Sequence, residues 1–213
     1  MQYNSWLYLF PFLGGSLILY YLLPIKRRWI GLLFSSLLFY ILTMKSLVVV
    51  VLFTTAAIYL GARVIEQFNE TFKLKKKELD RAARKELKNK TTTKIRYVIA
   101  FLCFINFGIL FVTKYFNFFG ENINALHIPA QIPFLNIFLP LGISFYTLSA
   151  ISYVTDVARG VCKVERNYLR LLLFLIFFPV ITGGPISRYG QLGEELKAEH
   201  RFDYKQFCFG AQL

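Results

Sequence analysis

The chain of 213 residues carries 25 Lys and Arg against 12 Asp and Glu, a formal net charge of +13, yet only 17% of it is charged and 56% is hydrophobic. A soluble domain usually carries about 25% charge and a disordered chain needs low hydrophobicity, so the composition argues against both. A nucleic-acid binder of this basicity would gather its cations on one face beside an ordinary core. Here they sit in short blocks between long apolar runs, which is the layout of a polytopic membrane protein and leaves no role for nucleic acid.

The first apolar run, Trp6–Leu23, ends at Pro24 and the basic cluster Lys26-Arg27-Arg28. Met1 to Ser5 hold no Lys or Arg, so this run lacks the basic start of a secretory signal and reads as a retained span. Further runs follow at about 29–43, 46–65, 97–119, 135–157 and 168–186. Most approach the ~20 residues that a helix needs to cross a ~30 Å hydrocarbon core. The expected fold is therefore all-α: one transmembrane helical bundle over residues 1–213, with about six spans and a broken or re-entrant sixth segment.

Positive charge sorts the loops. The turn after the first span holds three cations, the stretch 66–96 holds eleven against five acids, and 158–167 holds Arg159, Lys163 and Arg166. The stretch 43–45 holds one cation, and 118–136 holds none. Positive-inside logic puts the N-terminus outside and loops one, three and five in the cytosol. The basic loop 66–96 is rich in helix formers over Lys73–Lys90, and Asp80 precedes Arg84 by four residues. It reads as an ordinary solvated topogenic loop; a helix lying on anionic lipid is the alternative.

Two stretches carry chemistry. In the fifth span, at ~100° per residue, Ser144, Ser149, Ser152, Thr155 and Asp156 fall within one arc of about 140°. Hydroxyls and a carboxylate at membrane depth call for the bundle interior or a wet cavity. Two readings stand: the wall of a substrate passage, or helix packing through small residues. Asp156 has a further alternative, an interfacial ion pair with Arg159. In the sixth segment Pro179 removes a backbone donor, and Gly183-Gly184-Pro185 followed by Arg188 argues for non-helical backbone within the membrane. Such discontinuous segments often lie at a substrate site; the alternative is a span end and a turn. Arg188 is expected at an aqueous rim or beside an acid. Cys103, Cys162 and Cys208 are far apart and distant from His127 and His200, so neither a disulfide framework nor a metal site is expected.

These stretches resemble the membrane-bound O-acyltransferase family, in its bacterial branch that includes the alginate O-acetylation membrane subunit and the teichoic-acid D-alanyl transfer protein. The resemblance is carried by Leu139-Pro140-Leu141-Gly142-Ile143-Ser144-Phe145-Tyr146-Thr147, by Ile151 to Gly160, and by Phe177-Phe178-Pro179-Val180-Ile181-Thr182-Gly183-Gly184-Pro185-Ile186-Ser187-Arg188-Tyr189. It implies an enzyme of the bacterial cytoplasmic membrane that transfers an acyl group, most simply acetyl, from a cytosolic thioester to a hydroxyl. The donor would be acetyl-CoA or an acyl-carrier thioester acting as substrate, with no bound cofactor. The acceptor would be a cell-surface polysaccharide or a relay protein, and membrane lipids and an acyl carrier or extracytoplasmic acyltransferase would be partners. The family's histidine is expected beyond Leu213, so the chain reads as the N-terminal half of a longer enzyme without its catalytic residue. His200 and His127 do not match it. Tunnel-lining roles then fall to Ser144, Ser149, Ser152, Thr155, Asp156, Gly183, Gly184, Pro185 and Arg188. A transporter or channel subunit uses broken helices and polar stripes equally well, and a fragment that only packs or anchors partners is a third reading.

Overall fold

The computed structural model describes residues 8–44, 48–76, 80–125, 133, 142–180 and 187–212. All regular structure among them is helical. A wide turn, Tyr8–Leu13, contains Pro11 and leads into α1, Gly14–Leu22. α1 stops where it must: Leu23 precedes Pro24 and is extended at φ −79°, ψ 145°, because the proline ring excludes the helical region from the residue before it. After one short turn α2 runs over Arg28–Met44.

α3 spans Val48–Lys75 and α4 spans Arg81–Lys114. These are the two helices among the described residues that are long and apolar enough to cross a membrane. Both outrun the apolar runs read from the sequence. The stretch 66–96, expected as a loop, is mostly helix: α3 continues to Lys75 and α4 begins at Arg81. Lys, Glu, Ala, Leu and Arg propagate a helix well once one is nucleated, and 66–96 contains neither Gly nor Pro. The alternative of a helix over Lys73–Lys90 is not met by one continuous helix, since Lys76 closes the last turn of α3 and Asp80 is extended. The fourth apolar run also divides, because Tyr115 ends α4 and a separate α5 covers Phe116–Ala125.

α6, Ile143–Arg159, lies between two glycines in the left-handed region, Gly142 at φ 70° and Gly160 at φ 74°. Gly160 closes the helix by donating to the Val157 carbonyl at 3.1 Å while Val161 N–H reaches the Asp156 carbonyl at 2.8 Å, a geometry that any Cβ would strain. α7 is short, Tyr168–Ile176; the Asn167 side chain caps it by accepting from Leu169 N–H at 2.9 Å. It ends at Phe177, two residues before Pro179. α8, Tyr204–Gln212, follows an irregular stretch.

α3 is the hub, packed on α4, α6 and α7; α4 also packs on α6, and α2 joins α7 to α1. α3 and α4 are in close contact at Gly61, where a Cβ would stand 2.4 Å from the Leu102 Cδ1. Six consecutive residues of α7, Leu171 to Ile176, are buried, so α7 beyond its first turn is enclosed by its neighbours.

Candidate functional site

α6 divides into two sides of different character. Ile143, Tyr146, Ala150, Tyr153, Val154 and Val157 are buried and face the packed helices. Ser144, Ser149, Ser152 and Thr155 are half-buried on the opposite side. The hydroxyl stripe is thus the side of α6 that its described neighbours leave partly open. Thr155 satisfies its own hydroxyl by donating to the Ile151 carbonyl at 2.8 Å. Asp156 is 8% exposed. It makes no ion pair with Arg159 or with any other described residue, and Arg159 itself is exposed.

The stripe meets the segment that flanks the glycine–proline bend. Phe145, Tyr146 and Ser149 of α6, with Phe174 and Leu175 of α7, Phe177, Val180, Ser187 and Leu192, line a crevice. Its free volume of about 20 Å³ admits a single water molecule. Gly183, Gly184 and Pro185 lie outside the described residues. Val180 and Ser187, which flank that gap, both line the crevice, so the chain leaves and returns beside Ser149. Arg188 is exposed and forms no ion pair with a described residue. His127 lies outside the described residues; His200 is exposed, with Nε2 3.0 Å from the Glu195 carbonyl.

A buried polar knot holds Arg188 in place. Next to it, Tyr189 is 2% exposed, donates its hydroxyl to Glu165 Oε2 at 2.6 Å, and packs 4.8 Å from the Tyr153 ring and 5.1 Å from Phe174. Lys197 Nζ stands 2.7 Å from the same carboxylate oxygen, and Asn167 N–H donates to Oε1 at 2.8 Å. The Glu165 N–H in turn donates to the Tyr153 hydroxyl at 2.9 Å. Burial by itself would raise the Glu165 carboxyl, but Lys197, Tyr189 and Asn167 together hold it below its ordinary value. Burial and the hydrogen bond to Glu165 push the Tyr189 hydroxyl well up. Burial, with the carboxylates of Asp156 and Glu194, pushes the Cys162 thiol up to about 11, which makes it a poor nucleophile at neutral pH. The knot ties α6, the 160–167 connection, α7 and the segment after the bend into one unit.

A second polar group lies between α3, α4 and α6. The Tyr146 hydroxyl is 2.6 Å from Thr54 Oγ1 and 3.1 Å from Thr55 Oγ1. Asn106, 1% exposed, donates to the Leu102 carbonyl at 2.9 Å, and its Oδ1 has no partner among the described residues. Sequence reasoning missed both groups. Tyr146 and Tyr153 fall outside the hydroxyl arc of α6. Their hydroxyls need partners once buried, and Thr54-Thr55 and Glu165 were available signals.

No protein-family profile matches the chain, and no solved structure matches it. Curated relatives do. A protein of Pseudomonas aeruginosa named probable alginate O-acetylase AlgI is 31% identical over 199 residues, which is 92% of this chain and 34% of that protein. The teichoic acid D-alanyltransferase of Bacillus subtilis is 34% identical over 70 residues, 32% of this chain and 18% of the relative. The peptidoglycan O-acetyltransferase of Helicobacter pylori is 26% identical over 131 residues, 49% of this chain and 25% of the relative. The chain thus spans at most about a third of the length of these relatives.

Proposed function

We propose that this chain, which belongs to the membrane-bound O-acyltransferase family, forms one wall of the passage through which an acyl group reaches a hydroxyl acceptor. The donor is a cytosolic thioester, acetyl-CoA or a loaded acyl carrier. The acceptor is a hydroxyl of a cell-surface polysaccharide or of an extracytoplasmic relay protein. The chain crosses the bacterial cytoplasmic membrane about six times with its N-terminus outside. The residue that takes the hydroxyl proton, a histidine by the family resemblance, lies in the part of the relatives' length that this chain does not span.

One observation carries this reading: the hydroxyl side of α6 is left half open by α3, α4 and α7 and meets the flanks of the Gly183-Gly184-Pro185 bend at Ser149 and Ser187. A row of small hydroxyls at membrane depth is stable where water or polar groups reach it. Ser144, Ser149, Ser152, Thr155 and Asp156 then line the passage. The Glu165–Tyr189–Lys197 knot holds the segment that resumes at Ser187 against α6 and α7. Arg188, exposed and unpaired with any described residue, meets an acidic carrier or the phosphates of the donor through its forked guanidinium. The names of the relatives, all acyl-transferring proteins, favour this reading over transport.

The test uses membranes that contain the complete enzyme, radiolabelled acetyl-CoA or acetyl-loaded carrier, and a hydroxylated polysaccharide acceptor. Base-labile ester label accumulates with the wild type and falls at least tenfold in Gly184→Phe at equal membrane levels. Wild-type turnover by that variant removes the bend from the mechanism; no ester from any donor overturns the activity. For orientation, Lys85→Cys in a chain otherwise free of cysteine reacts with an impermeant maleimide only after permeabilisation. Labelling in intact cells reverses the orientation.

A further inference from the structure

At the charged end of the bundle, α3, α4 and α6 enclose a groove of about 520 Å³ that shares only Thr155 with the proposed acyl passage. Its cations are Lys88 and Arg96 of α4 and Arg159 of α6. Thr91, Thr92, Asn69 and Thr155 add hydroxyl and amide groups, while Ile95, Ile99, Phe72 and Ala158 supply an apolar lining. No carboxylate lines it. The acids on the same turns are engaged elsewhere: Glu66 with Arg63 and Arg166, Glu70 3.9 Å from Arg166, and Glu86 with Lys90 at 2.7 Å. None of the three groove cations has an ion pair with a described residue. Three unneutralised cations in one groove repel each other and favour an anion between them.

The position of the groove says which anion. It lies where α4 changes from the polar turns Lys88–Arg96 to the apolar turns from Tyr97 onward, the depth at which a helix passes from lipid to water. One turn deeper on the same helix a second, shallow depression of about 750 Å³ begins at Ala100 and Cys103 and continues to Tyr115. Its lining is almost wholly apolar: Phe104, Phe107, Leu110 and Phe111 beside the small Ala100 and Gly108. A Cβ at Gly108 would meet nothing within 4 Å, so the depression there is open. Ile99 of the basic groove and Cys103 of the apolar one are four residues apart, on adjoining turns of one face.

We propose that this pair of grooves is a binding site for an anionic glycerophospholipid. The phosphate sits among Lys88, Arg96 and Arg159, and one acyl chain lies along Ala100 to Phe111 of α4. The hydroxyls of Thr91 and Thr92 are placed to donate to headgroup oxygens. The site holds α3, α4 and α6 together at their charged ends, where their mutual contacts give way to solvent. This assignment stands independently of the acyl-transfer reading, because none of its cations belongs to the proposed passage.

The test measures binding of dioleoylphosphatidylglycerol and dioleoylphosphatidylcholine to the detergent-purified protein, by lipid retention in native mass spectrometry and by thermal stabilisation. The anionic lipid is expected to bind at least tenfold more tightly, since each basic contact contributes a factor of about five. The triple variant Lys88→Gln, Arg96→Gln, Arg159→Gln loses that preference. Gly108→Leu fills the apolar depression and weakens phosphatidylglycerol about fivefold, the worth of roughly one displaced methylene. Lys85→Gln, an exposed lysine outside the groove, changes nothing. Should the triple variant fail to fold, the single variants Arg96→Gln and Arg159→Gln each report a partial loss. Equal binding of the two lipids, or a preference that survives all the charge variants, overturns the proposal. Displacement of the lipid by glycerol 3-phosphate at equal concentration, with Gly108→Leu silent, also overturns it and marks a site for free phosphate instead.

Discussion

The two sides of α6 make their hydrogen bonds in opposite ways. On the buried side the two tyrosine hydroxyls are each bonded to a distant element: Tyr146 to Thr54 and Thr55 of α3, Tyr153 to the backbone of Glu165. On the open side the hydroxyls are small, and the one whose bond is seen, Thr155, turns back to its own helix. The contrast separates polar groups that hold the bundle together from polar groups that make no bond to another described element. A buried hydroxyl without a partner costs about 1–3 kcal/mol, so the tyrosines can be buried only where α3 and the 160–167 connection meet them. The serines carry no such requirement while one side of the helix stays wet.

The sharpest way to break this comparison is at the carboxylate on which the tyrosine side converges. Glu165→Ala strands the Tyr189 hydroxyl, leaves Lys197 with Glu194 alone at 3.4 Å, and removes the acceptor of the Asn167 N–H. Loss of one partner from a buried, charge-assisted cluster costs about 3 kcal/mol, here reduced to about 2 kcal/mol because Lys197 is partly exposed. A clear drop in the thermal midpoint of the detergent-solubilised protein is the expected readout. The same cluster has a pH signature. The folded Glu165 carboxyl lies below its ordinary value of 4.5, so its stabilisation is complete above that pH and is lost as the pH falls toward the folded value. The wild type therefore loses stability on acidification below about 4.5, and Glu165→Ala lacks that part of the profile.

A smaller effect is expected at Tyr146→Phe. Thr54 and Thr55 keep their bonds to the Val50 and Val51 carbonyls at 2.9 and 2.7 Å, so the loss is about 0.6–1 kcal/mol, as for single interhelical hydrogen bonds at membrane depth. The smallest stability change belongs to the open side. Ser144→Ala, Ser149→Ala and Ser152→Ala combined should alter the unfolding midpoint by no more than about 0.5 kcal/mol equivalent, as for surface substitutions, yet lower acyl transfer by the complete enzyme. If that triple variant destabilises the fold as much as Glu165→Ala, the serines are packing groups and the two sides do not differ.

Much of this arrangement is legible along the chain. The apolar runs, their basic boundaries, the stop at Pro24 and the glycines that bracket α6 follow from local rules of helix propagation and termination, which need only neighbouring residues. So does the hydroxyl arc of α6, because helical spacing alone puts Ser144, Ser149, Ser152 and Thr155 on one side. The reading of 66–96 as a loop missed the helix there for a related reason: apolarity marks where lipid stops, whereas α3 continues to Lys75 and α4 starts only after the extended Asp80.

Partnerships across the fold could not be read in this way. Glu165 and Tyr189 are 24 residues apart, and Thr54 and Tyr146 are 92 apart; nothing in local pattern distinguishes them from other polar residues near a span. Which side of α6 is packed depended on the volumes and rotations of α3, α4 and α7 together. The amino-acid order alone determined where helices form and which residues share a side. Tertiary packing decided which side is sealed, because burial is a property of several helices at once and a hydrogen bond needs both of its partners in place.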